Sequence, residues 1–186
     1  MNQRKVANTV TNCTEEWQKI VLPEIQSVVV RSSLKPLKKT PPGPNLVLFR
    51  FWEGFGNRGI RGIAFELTRI GVSGIYVYST SDRDKRIITE KGLPLEESQS
   101  ILLKKLILDP NILDVIYECV KYPERELSPE DSEMIVIEIL DEQGYRAVKY
   151  SDPMSSERPE ARQLIDLALE LEKITGDYLL ERPGLK

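Results

Sequence analysis

Apolar and polar residues alternate along this chain with two different periods, and the period marks the element. Period two predicts strands. In the run from Leu46 to Trp52, residues Leu46, Leu48 and Trp52 share one face with Arg50, and Val47, Phe49 and Phe51 share the other. Ile63, Phe65 and Leu67 alternate with Ala64, Glu66 and Thr68, and Ile75 and Val77 alternate with Tyr76 and Tyr78. Arg86 to Glu90 reads as a further strand, after a polar turn at residues 81–84. Met134 to Leu140 and Tyr145 to Tyr150 flank Asp141-Glu142-Gln143-Gly144, which predicts a hairpin.

Helical spacing appears elsewhere. Leu95 to Leu108 places Ile101, Leu102, Leu106 and Ile107 on a broad apolar face, with Pro94 in the first turn and Pro110 beyond the last. Asp109-Pro110 then starts a second helix carrying Leu113, Ile116, Cys119 and Val120, stopped by Pro123. Glu160 to Thr175 carries a stripe of Leu164, Ile165, Ala168 and Leu171, with Gly176 suited to the position after the C-cap. Near the N-terminus, Asn12 and Glu15 have the spacing of a capping box, and Pro23 is expected to interrupt the helix that follows. Ile25 to Val30 fits a short strand or a second helical turn.

These elements predict an α+β fold: an antiparallel sheet of about five strands with helices packed on one face, preceded by a helical or extended N-terminal arm. Residues 31–44, RSSLKPLKKTPPGP, are basic and proline-rich and read as a solvated linker. The division is therefore residues 1–44 as arm and linker and residues 45–186 as a single α+β domain.

Residues 54–59 spell G-x-G-x-x-G after a predicted strand, and this opens a competing reading. If Ile60, Ile63, Ala64 and Leu67 lie on a helix, then Gly54, Gly56 and Gly59 let the backbone approach a pyrophosphate at its N-terminus, and Asp82 falls where an acid would bind a ribose. The stretch from Gly56 to Arg83 resembles the opening of the short-chain dehydrogenases, which implies a parallel sheet and an NAD(P)-like cofactor. Tyr145-Arg146-Ala147-Val148-Lys149 also matches Y-x-x-x-K, 91 residues after Gly54 and within a predicted strand. Against this stand the period-two pattern beyond Gly59 and Arg50 in mid-strand, since a strand buried on both faces reads as continuously apolar. The strand reading makes residues 54–62 a loop between antiparallel strands and requires no cofactor.

Composition narrows the chemistry. The chain has no histidine, which removes the commonest general base and transition-metal ligand. Cys13 and Cys119, the only cysteines, lie too far apart for a zinc motif. Asp82 and Asp84 alone fall short of the oxygen ligands a hard cation takes, so no metal is expected. No catalytic residues stand out. No apolar run approaches the ~20 residues that span a bilayer and no secretory signal opens the chain, which predicts a soluble, cytoplasmic protein. Residues 1–91 hold 15 Lys and Arg against 8 Asp and Glu, and residues 92–186 hold 11 against 21. Arg31, Lys35, Lys38, Lys39, Arg58 and Arg61 could therefore meet nucleic acid, which an overall pI near 5.3 disfavours. The acidic stretch 124–142 could dock a basic partner or the basic linker. The expected function is a non-catalytic protein-interaction module, with Trp52, Phe55, Asn57, Arg58 and Arg61 as its contact surface.

Overall fold

The computed structural model describes residues 15–55, 59–82, 85–110, 112, 134–151 and 159–176. Among these lie three long helices and one antiparallel sheet. Helix α1 spans Glu15–Arg31; strands β1 to β4 span Val47–Gly54, Ile60–Leu67, Val72–Asp82 and Lys85–Leu93; helix α2 spans Glu97–Ile107; strands β5 and β6 span Met134–Asp141 and Gly144–Ser151; and helix α3 spans Pro159–Thr175. The α+β class is as expected. The sheet has six strands rather than about five, in the order β4-β3-β2-β1-β5-β6, with every neighbouring pair antiparallel.

The segment beyond the third glycine is a strand. Ile60 to Leu67 pairs with β1 from Gly54↔Ile60 to Val47↔Leu67, and with β3 from Ile60↔Ser79 to Leu67↔Val72. The helix implied by the dehydrogenase resemblance is absent, so no helix N-terminus stands behind Gly59. The glycines have another task. Gly54 and Gly59 both have positive φ, at 78° and 80°, and the Phe55 N–H donates to Gly59 O at 2.7 Å, closing the β1–β2 connection. A Cβ on Gly54 would lie 2.4 Å from Gly59 O, and one on Gly59 would lie 2.2 Å from Ser79 O. Gly59→Ala is therefore expected to cost about 1–3 kcal/mol through the strained φ. The loss should appear as a lower urea midpoint; an unchanged midpoint would contradict this turn geometry.

The strand alternation sorts the core into two layers. Phe49, Phe51, Ile63, Phe65, Ile135, Ile137 and Ile139 face α2 and α3, which contribute Leu103, Ile107, Leu164, Leu167, Ala168 and Leu171. Gln99 ties the two helices together, with Nε2 donating to Ile174 O at 2.6 Å. Gly176 follows α3 with φ 69°, in the expected C-terminal position. The opposite face carries Trp52, Ile60, Val77, Met134 and Val136 against Val21, Leu22, Ile25, Val28 and Val29 of α1. Helices thus cover both faces, not one.

Pro23 does not interrupt α1, because that stripe runs through it at helical spacing while Pro23 itself is exposed. Burial of five aliphatic side chains, each worth about 1.5–3 kcal/mol, offsets the ~3 kcal/mol cost of an internal proline. The second helix expected from Asp109 is described only as far as Pro110 and Ile112; Cys119 and the acidic residues 124–133 lie outside the described residues. Among the described residues no helix is long and apolar enough to cross a membrane.

Candidate binding site

The α1-covered face holds one polar cluster. Arg50 on β1 lies directly opposite Glu138 on β5, and both side chains are buried. Burial alone would make each charge costly, so the cluster works only through its contacts. Trp52 Nε1–H donates to Glu138 Oε2 at 2.7 Å, and the Tyr145 hydroxyl donates to Oε1 at 2.8 Å. Arg50 Nη2 donates to the carbonyl of Lys35, and Nη1 lies 3.7 Å from Glu138 Oε2, within ion-pair range but beyond a hydrogen bond. Among the described residues Arg50 Nη1 has no hydrogen-bond acceptor, although it is sealed from solvent.

The Trp52 indole can lie across the sheet because residue 62 beneath it is glycine. A Cβ there would fall 2.2 Å from Trp52 Cε3 and 2.4 Å from Cζ3. Desolvation pushes the Arg50 pKa below the ordinary guanidinium value, against the attraction of Glu138, and a guanidinium remains charged at neutral pH. Desolvation, and then Glu138, push the Tyr145 phenol far above its ordinary range.

The linker is clamped onto this cluster. Between α1 and a short 3-10 turn at Leu37–Lys39, the Ser33 N–H donates to Glu90 Oε1 at 2.5 Å and Lys35 Nζ reaches Glu66 Oε2 at 3.1 Å. Lys35 O accepts from Arg50. Leu37 then packs with Leu48 and Leu140, Lys38 Nζ sits 5.6 Å from the Tyr145 ring centroid, and the Asn45 N–H donates to Glu142 Oε1 at 3.3 Å. The basic segment therefore lies along the sheet and meets the β5–β6 hairpin. The expectation of a solvated tether is corrected by these contacts.

Under this strap lies a small groove of about 90 Å³, room for one side chain and below the usual size of small-molecule sites. Leu34, Leu48, Ala64 and Ile75 give it apolar walls, and Arg50 and Ser73 add polar groups.

The residues expected to form the contact surface are placed differently. Trp52 and Phe55 are buried in the α1 layer, Phe55 with φ 120°. Arg61 is half-buried and pairs with Glu53 at 2.6 Å. Asn57 and Arg58, like Gly56, lie outside the described residues, and Asp82 ends β3 opposite Lys85. The structure brings none of Trp52, Phe55 and Arg61 into the groove. Among the described residues there is no group of three or more His, Cys, Asp or Glu suited to a metal ion. No protein family, no characterised protein and no solved structure matches the chain.

Tyr145 gives the cluster a pH signature. Its folded-state pKa is raised above the unfolded value of about 10, so its contribution is complete below about pH 10 and is lost as pH rises further. Above that point the unfolded state binds fewer protons, and stability should fall by up to about 1.4 kcal/mol per pH unit. Urea midpoints should therefore drop more steeply above about pH 10 in the native chain than in Tyr145→Phe. Parallel curves would exclude the Tyr145 phenol as the cause.

Proposed function

We propose that the chain is a small cytoplasmic binding module that seats a protein partner in the groove beneath the strap at residues 32–36 and performs no chemistry of its own. The observation that carries this reading is Arg50 Nη1, a buried donor in a side chain that lines the groove, ion-paired with Glu138 at 3.7 Å but without a hydrogen-bond acceptor among the described residues. Leaving such a donor unmet costs about 1–3 kcal/mol, so an incoming acceptor gains that much beyond its own contacts. The apolar walls supply the rest of a binding site.

The test is selection of random linear peptides on the native chain and on Ala64→Phe, which fills the groove floor. A dispersed amide spectrum would establish that the variant folds. The expected result is enrichment on the native chain, loss on the variant, and altered amide exchange at residues 33–35 and 73–75. Equal enrichment on both, or none on either, would overturn the reading. NAD(H), NADP(H) and ATP should leave the melting temperature unchanged. Stabilisation near 2.7 kcal/mol at roughly 100 times Kd would favour a cofactor site instead.

A further inference from the structure

The charges around the groove narrow the chemistry of its occupant, an inference that rests on the binding reading above. Two cations, Arg50 and Lys35, lie among three carboxylates: Glu66 pairs with Lys35, Glu138 lies against Arg50, and Glu90 holds the Ser33 N–H. The site is already neutralised and leans negative. A phosphate or carboxylate entering beside Arg50 would place a second anion close to buried Glu138, a juxtaposition that weakens binding. Among the described residues Arg50 Nη1 still lacks a hydrogen-bond acceptor. The group that meets both conditions is a neutral carbonyl oxygen.

The strap supplies a precedent within the chain. Arg50 Nη2 already takes a backbone carbonyl, that of Lys35. Leu34, Leu48, Ala64 and Ile75 leave an apolar space beside it.

We propose that the groove takes an extended, uncharged peptide segment, with a backbone carbonyl on Arg50 Nη1 and an aliphatic side chain between Leu34, Leu48, Ala64 and Ile75. The strap closes the guanidinium from solvent, so binding requires residues 33–35 to shift, and their amides should report it. Glu66 and Glu90 hold the strap from exposed positions and can release it without unfolding the sheet.

Two small probes that differ in charge test this on the native chain: N-acetyl-leucine amide and N-acetyl-leucine, each titrated while backbone amide shifts are followed. The amide probe should move the resonances of residues 33–35, 64 and 73–75, and the acid should bind about tenfold more weakly or worse. In Glu66→Gln, which removes one rim carboxylate, that preference should narrow severalfold. Equal or tighter binding of the acid at the same residues would overturn the neutral-carbonyl assignment while leaving the groove as a binding site. Shifts confined to other surfaces, or no shifts with either probe, would overturn the assignment itself. Failure of peptide selection would instead remove the reading beneath it.

Discussion

Replacing Glu138 with leucine is expected to cost about 3–5 kcal/mol, among the largest effects of any single change in this chain. The carboxylate does three things at once. It neutralises Arg50, accepts from Trp52 Nε1 and accepts from the Tyr145 hydroxyl. Removing it leaves a buried guanidinium without its counter-charge, and the buried Trp52 and part-buried Tyr145 donors without their acceptor. Leucine fills a similar volume, so the loss reports electrostatics rather than a cavity. The companion experiment is the double variant Arg50→Met with Glu138→Leu. With both charges gone, the remaining loss should be only about 1–3 kcal/mol, from the unmet Trp52 and Tyr145 donors. Urea unfolding of the two single variants and the double variant gives the coupling directly. Additive losses would mean that Arg50 and Glu138 do not depend on each other.

Gly62→Ala carries the second large effect. Alanine in a strand interior usually gains about 0.5–1 kcal/mol over glycine. Here the sign should reverse, because the new Cβ would fall 2.2 Å from the Trp52 indole, a rigid and fully buried group. The ring must move, and its bond to Glu138 moves with it. Overpacking and the loss of a bond to a carboxylate together should cost about 2–4 kcal/mol. Gly92→Ala is the control: it too lies in a strand, but a Cβ there meets nothing within 4 Å. Equal effects at the two positions would mean that the indole does not lie across β2. Trp52 fluorescence in Gly62→Ala reports the same displacement independently.

Much of the fold was legible in the alternation itself. The faces read for Leu46 to Trp52 are the faces observed, and the β5–β6 hairpin turns at Asp141–Gly144 as its residues indicated. The helix at 160–175 ends one residue before Gly176. Local rules failed where tertiary packing overrode them. Pro23 predicts an interruption, but the aliphatic stripe on either side of it binds the sheet strongly enough to carry the helix through. The G-x-G-x-x-G spacing fits a pyrophosphate cradle and a tight strand connection equally well, because both require positive φ; only the pairing of Ile60 to Leu67 separates them.

The site was half legible. Arg50 stood out as a charge in an apolar strand, and Glu138 is the corresponding lone acid within Met134–Leu140. Two opposite charges in two otherwise apolar strands signal a cross-strand pair, yet nothing local reveals that the strands are neighbours, since 87 residues lie between Arg50 and Glu138. Trp52 read as a contact residue because large aromatics beside arginine are common at interfaces. Its burial depends on Gly62 and α1, which sequence spacing does not bring together.

The pairing of the segment after the glycine loop can be measured directly through nuclear Overhauser contacts between backbone protons. The expected contacts run across strands, from Phe51 to Ile63 and from Ala64 to Ile75, with strong sequential Hα-to-amide contacts along residues 60–67. Strong sequential amide-to-amide contacts through residues 60–67, with none reaching β1 or β3, would show a helix there and contradict the sheet on which the strap, the charge cluster and the groove all rest.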